Sequence, residues 1–234
     1  MFISLGLGDW VQINLEFDTF YKNGIALVRL GKHGEAVASF DKALEINPNN
    51  MKTLSKKGIA LARLGKLEEA VVCFNMALEI NPKHMNTLYN KGLLLYLLDR
   101  CEEAVVCFNM ALEINPNDSD TLYDKGDALA RLGKHEEAVA SFDMTGITLT
   151  KLGKHEEAVA SFDKALEINP NNMKTLSNKG VALARLGKHE EAVASFDKAL
   201  EINPNELDVL FNKDLVLAKL NQKKNPTLLE MEGN

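Results

Sequence analysis

Five of the six prolines in this chain keep a fixed interval. Pro48, Pro82 and Pro116 stand 34 residues apart, and so do Pro170 and Pro204. Spacing this regular limits the chain to an architecture built by repetition, with one supersecondary unit in each period. The text between the prolines agrees. Residues 154–170 read KHEEAVASFDKALEINP, residues 188–204 are identical, and residues 32–48 differ only in carrying Gly34 where the others carry Glu.

Each period holds two helical patterns. Leu54, Gly58, Leu61 and Leu64 mark one face of a first helix, and Gly65-Lys66 breaks it. Ala70, Phe74, Ala77 and Leu78 mark the buried face of a second. Glu68 and Glu69 suit its positive first turn, and Asn81-Pro82 ends it, because the residue before proline is pushed out of the α region. The turns Asn49-Asn50 and Lys83-His84 lead into the next period, with asparagine a good helix N-cap. The low content of turn formers, 15 Gly and 6 Pro in 234 residues, argues against a turn-rich all-β fold.

A glycine recurs at the middle of every first helix, at positions 24, 58, 92, 126, 146 and 180. Mid-helix glycine costs about 1 kcal/mol relative to alanine, so its recurrence needs a packing reason. The expected partners are the small residues of the second helix: Ala36, Ala70, Ala104, Ala138, Ala158 and Ala192. The glycine, alanine, phenylalanine and proline columns resemble the tetratricopeptide repeat family over residues 17–220. The resemblance implies an all-α fold, an α-solenoid of antiparallel helix hairpins. There are departures. Leucine (54, 88, 122, 176) replaces the family's first-helix aromatic, lysine (57, 91, 125, 179) precedes the glycine, and histidine (33, 135, 155, 189) opens the second helix.

The period fails once. From Phe40 to Gly58 there are eighteen residues, whereas from Phe142 to Gly146 there are four, so fourteen are missing. Met144-Thr145-Gly146 is either a tight turn between two stunted helices or the middle of one continuous helix. The second reading is favoured. Ala138, Phe142, Thr145, Leu149 and Leu152 keep helical spacing, and fourteen residues are close to four turns. The solenoid is therefore expected to be interrupted by a fused helix near 136–152. The segments that follow are an N-terminal cap or helix extension (1–16), a first array of four units with the last truncated (17–143), a second array (144–206), a capping helix (207–220) and a flexible tail (221–234). Asp9 is the expected cap of the N-terminal helix. Apolar surface left uncovered by the lost segment would suit a second copy, with Trp10, Phe142, Met144 and Leu149 as candidate self-association residues.

Catalytic chemistry has no visible home here. There is no Gly-rich phosphate loop and no H-E-x-x-H, and the histidines and Glu pairs fall in repeat register. No catalytic, cofactor-binding or metal-binding residue is assigned. Three cysteines without a C-x-x-C pair offer neither a disulfide framework nor a zinc site, with Cys101 the most exposed of the three by expectation. A net charge of −6 argues against nucleic acid as partner. No apolar run is long enough to span a membrane, and no basic residue precedes Lys22 to open a secretory signal, so a cytoplasmic setting is expected.

The family resemblance implies a groove lined by first helices that takes a peptide or protein segment. Its candidate residues are Tyr21, Arg29, Lys52, Lys56, Arg63, Tyr89, Asn90, Arg131, Asn178, Arg185 and Asn212. The basic members suit an acidic segment. Asn90, Asn178 and Asn212 match part of the asparagine column by which some members hold a peptide backbone. The lysine and asparagine columns of carboxylate-clamping members are missing. The function expected is a non-catalytic interaction scaffold, with a self-assembling structural protein, homodimeric through the junction near Met144 or through swapped terminal helices, as the alternative.

Overall fold

The computed structural model describes the backbone of residues 7–224 and the side chains of residues 11–223. It is an all-α helical repeat solenoid, with twelve helices and no strand among the described residues. The chain forms two compact units, residues 1–116 and 117–234. The first holds three hairpins: α1 (Leu7–Arg29) with α2 (His33–Ile46), α3 (Met51–Arg63) with α4 (Leu67–Ile80), and α5 (Met85–Leu97) with α6 (Cys101–Ile114). The second holds α7 (Ser119–Arg131), α8 (His135–Lys151), α9 (His155–Ile168), α10 (Met173–Arg185), α11 (His189–Ile202) and α12 (Leu207–Lys224).

Local chemistry sets these bounds. The Asn50 side chain accepts the Thr53 N–H at 2.9 Å, and Asn172 and Asp118 do the same for Thr175 and Thr121 at 3.2 and 3.1 Å, satisfying orphan donors of the first turn. His84 takes the equivalent place before α5, half-buried, with its Nδ1 2.8 Å from the Thr87 hydroxyl rather than in solvent. Each first helix ends where the chain turns left-handed. Gly65 has φ of 77°, and the Lys66 N–H reaches back to the Leu61 carbonyl at 3.0 Å. In the third hairpin Asp99 holds this conformation, with φ of 60°. Leu64 therefore caps α3 at the surface instead of extending its buried stripe.

The glycine column does not face the alanines. A Cβ at Gly58 would lie 2.7 Å from the ring of Phe74, and Gly24, Gly92, Gly126, Gly146 and Gly180 stand in the same relation to Phe40, Phe108, Phe142, Phe162 and Phe196. Each ring fills the space the missing side chain leaves, so the cost of glycine is offset by burying a whole aromatic face. The alanines are fully buried too, but they are not what demands glycine.

Residues 135–151 form one helix, α8, of 17 residues where its neighbours have 13 or 14. Its serines and threonines bond back along their own helix: Ser141 Oγ to the Glu137 carbonyl (3.0 Å), Thr145 Oγ1 to Ser141 (2.9 Å) and Thr150 Oγ1 to Gly146 (2.8 Å). Poor helix formers are thus satisfied in place. The Phe142 ring packs on Gly126 of α7, and Gly146, one turn on, receives Phe162 of α9. One helix is the second member of one hairpin and the first member of the next.

The lysines before the glycines join successive hairpins. Lys57 pairs with Asp41 at 2.5 Å, Lys179 with Asp163 at 2.5 Å and Lys213 with Asp197 at 2.6 Å. Burial works against the Lys57 charge, but the hydrogen bond and charge of Asp41 outweigh it and raise its pKa. Of the histidines, 33, 155 and 189 are half-buried with an unpartnered Nδ1, while His135 is exposed. Cys101 is 2% exposed, against expectation, because it opens α6 facing the core. Burial raises the Cys73 and Cys107 thiols, which keeps them protonated and unreactive. At the ends, α1 already includes Leu7, so Asp9 lies within the helix rather than capping it. Helix α12 continues to Lys224, four residues past the expected end of the capping helix, and the rest of the expected tail lies outside the described residues.

Candidate functional site

In the first unit, α1 and α3 line a cavity of about 620 Å³. Its floor is Ile25, Val28 and Ile59, and its walls carry Tyr21, Lys22, Arg29 and Lys56. Three of the expected groove residues, Tyr21, Arg29 and Lys56, are therefore brought together. Tyr21 is held by the core: its ring is parallel to Phe17 at 6.1 Å and tilted against Phe40 at 6.2 Å. Tyr89 leans on Phe108 in the same way. The groove aromatics are thus anchored on the phenylalanines that fill the glycine sites. Lys22, which is not among the expected groove residues, pairs with Asp18 at 3.3 Å on the exposed face of α1. Lys52 and Arg63 lie exposed on α3.

The asparagine column does not form a ladder. Asn90 donates its side-chain N–H to the Asn86 carbonyl at 2.6 Å, on its own helix. In the second unit the Asn178 Nδ2 is buried without a partner among the described residues, and Asn212 is half-buried on α12. The same register position carries Lys22 and Lys56 in the first two hairpins, so the column mixes amides with cations instead of repeating asparagine.

The groove face of the second unit has a different neighbour. Tyr123 of α7 meets Phe142 edge-on at 5.4 Å. Asp127, one turn on, has its carboxyl raised by burial, against which the charges of Lys164 and Arg131 act. Lys164 belongs to α9, a second helix. It stands within electrostatic reach of α7 because α8 has already served as two helices. Lys164 and Glu167 also bear on the Tyr123 hydroxyl, which burial raises. The sequence reading missed both residues, and the fourteen-residue gap was the signal for them. Arg131 lies beside Asp127, while Arg185 is exposed at the end of α10.

The self-association candidates fare differently. Phe142 and Leu149 are 1% and 4% exposed, occupied by α7 and α9, and cannot meet a second copy. Met144 remains 44% exposed. The Trp10 side chain lies outside the described residues. Among the described residues no three His, Cys, Asp or Glu cluster as metal ligands, and no helix is long and apolar enough to cross a membrane.

Tandem helix hairpins, each locked by a phenylalanine on a glycine and stacked so that first helices line a groove, define a helical repeat protein. Tetratricopeptide repeat models match residues 49–117, 107–140 and 174–206, and a TPR repeat model matches 24–65 and 146–187. The chain belongs to the tetratricopeptide repeat family. The matches leave out residues 141–145, at the middle of α8. None of the curated proteins matches the sequence. Among solved structures, a tetratricopeptide repeat protein from Parabacteroides merdae is 20% identical, with 92% of this chain and 90% of that one covered and a TM-score of 0.54. Pseudomonas aeruginosa pilF is 18% identical, with 85% and 97% covered and a TM-score of 0.52. MamA from Desulfovibrio magneticus is 21% identical, with 82% and 97% covered and a TM-score of 0.50. At these identities the likeness is one of fold.

Proposed function

We propose that the chain is a non-catalytic interaction scaffold of the cytoplasm that binds an extended, acidic protein segment in the first-helix groove of its first unit. The observation that carries this reading is the 620 Å³ cavity itself, apolar on its floor and cationic on its walls. Ile25 and Ile59 offer burial to an apolar side chain, and Arg29 and Lys56 offer charge-assisted hydrogen bonds to carboxylates. Family membership supports the reading, since groove binding is the mode that the resemblance implies. Self-assembly through α8 is the weaker reading, because only Met144 of the candidates there with described side chains reaches the surface.

The test is fluorescence anisotropy with a labelled peptide of alternating glutamate and leucine. Binding is expected to weaken with added salt, and the double charge reversal Arg29→Glu, Lys56→Glu to lower affinity about tenfold or more. Unchanged affinity in the double variant overturns the proposal.

A further inference from the structure

The second helices are near-copies of one another, and two of them differ from the rest in the same way. Helices α2, α9 and α11 read Ala-Ser-Phe-Asp-Lys at their centres (residues 38–42, 160–164 and 194–198), whereas α4 and α6 read Val-Cys-Phe-Asn-Met (72–76 and 106–110). The buried phenylalanine is kept. Every change around it makes the helix more apolar or removes a charge. Two of the changes point outward, where packing has no use for them. Val72, Met76 and Ile80 on α4, with Val106, Met110 and Ile114 on α6, are each between 39% and 57% exposed. Val106 and Met110 wall a cleft of about 490 Å³ opposite Leu78 of α4, floored by Leu88 and Leu95 of α5, and Met76 lines the equivalent cleft against α2.

Carboxylates dominate the frame of this patch, although Lys66 and Arg100 flank it at the helix starts. Neither α4 (LEEAVVCFNMALEI) nor α6 (CEEAVVCFNMALEI) contains a lysine, arginine or histidine. Glu69 and Glu103 are held by Lys66 and Arg100 at 2.9 and 2.6 Å. Glu68, Glu79, Glu102 and Glu113 complete the border, and all four are exposed. The one cation lining the cleft, Lys91, sits half-buried at its floor, and both it and Arg100 draw down the Glu103 carboxyl. The face is thus a valine and methionine ridge inside a carboxylate border, on the helices away from the first-helix groove.

From this geometry we infer that the face formed by α4 and α6 is a docking surface for a basic amphipathic helix of a partner protein. Paired helices with a cleft between them accept the apolar stripe of a third helix. Methionine adapts to the shape of what it meets. The carboxylate border selects lysine and arginine on the flanks of the incoming helix and repels acidic segments. One chain then carries two surfaces of opposite demand in the same unit, the groove for acidic segments and this face for basic helices.

The probe is a synthetic peptide of leucine and lysine only, with its leucines along one helical face, titrated against the full chain by calorimetry. The decisive variant is Val72→Ala, Met76→Lys, Val106→Ala, Met110→Lys. It installs the residues that α2, α9 and α11 already carry, so its fold is expected to hold, and circular dichroism melting checks that. Wild type is expected to bind saturably, and the fourfold variant about tenfold or more weakly with an unchanged melt. Arg29→Glu, Lys56→Glu is expected to leave this binding intact. The inference is overturned if the fourfold variant binds as wild type does, or if a scrambled leucine-lysine peptide or a leucine-glutamate helix binds equally well. Light scattering that shows a dimer dissolved by the fourfold variant also overturns it, by giving the face to a second copy.

Discussion

Helices α4 and α8 begin alike. Each opens with two glutamates, buries an alanine and lays a phenylalanine on the glycine of the helix before it, Phe74 on Gly58 and Phe142 on Gly126. One turn later they part. Helix α4 carries Leu78 and soon ends at Asn81-Pro82, whereas α8 carries Gly146 and accepts Phe162. The difference teaches that the roles of first and second helix belong to faces of a helix. A 17-residue helix has room to present both in succession.

Asp143 shows the cost of the double role. At the second-helix position its counterparts Asp41, Asp163 and Asp197 each bind a lysine sixteen residues later, but that place is Val159 here. Asp143 instead takes the first-helix position of Ser55. Ser55 receives the Thr87 hydroxyl at 3.0 Å, and Asp143 Oδ2 receives the Thr175 hydroxyl at 2.9 Å. Its Oδ1 is buried without a partner among the described residues, and burial raises its pKa against the Thr175 bond and the Lys174 charge.

The most severe test of the comparison is Phe162→Ala. If α8 is a true first helix for α9, the loss should equal that of Phe74→Ala, about 3–5 kcal/mol by denaturant unfolding. Gly146→Ala should cost about 2 kcal/mol despite alanine's better helix propensity, because its Cβ meets the Phe162 ring. A Phe162 variant as stable as wild type would mean that the second half of α8 does not act as a first helix.

A smaller effect is expected at Asp143. The Asp143→Asn variant keeps an acceptor for Thr175 and removes a buried charge, so it should be more stable at neutral pH by about 1 kcal/mol. Because the folded chain holds the Asp143 proton more tightly than the unfolded chain, wild-type stability should rise as pH falls from the raised pKa to the ordinary carboxylate value. The gap between the two proteins should close over that window. Melting temperatures measured across the acid range check it, and a gap independent of pH would count against the assignment.

The smallest effect sharpens the regular side of the comparison. Asn75 stands where other hairpins have the aspartate that binds the following lysine, here Lys91. Asn75→Asp should install the missing ion pair and raise stability by about 0.5 kcal/mol, and Lys179→Met should lose a similar amount. Thermal melts at low and high salt resolve both, since the added pair should weaken with salt.

Much of this was legible in the sequence. The 34-residue period, the hairpins and the continuity of α8 follow from spacing, which the backbone obeys directly. The partner of the glycines was not legible. Alanine and phenylalanine recur with the same period, so periodicity could not say which of them reaches the glycine. The lysines before the glycines read only as a departure from the family pattern, because their aspartate partners lie on the preceding helix, sixteen residues back. In the groove, Tyr21, Arg29 and Lys56 came together as expected, since one face of α1 and α3 carries them. Asn90 did not, because a side-chain amide on a helix can bond to its own backbone as readily as to a ligand.

Helix α8 also bears on how such arrays change length. Near-identical copies invite unequal recombination, which adds or removes whole copies. Here a part-copy of fourteen residues is missing, and the chain on either side stays in register because Phe142 and Gly146, left four residues apart, lie one helical turn from each other and each keeps its partner. The tolerated size of a deletion is then set by helical phase as well as by the repeat period. One helix can then stand for two members of the array, as α8 does between α7 and α9.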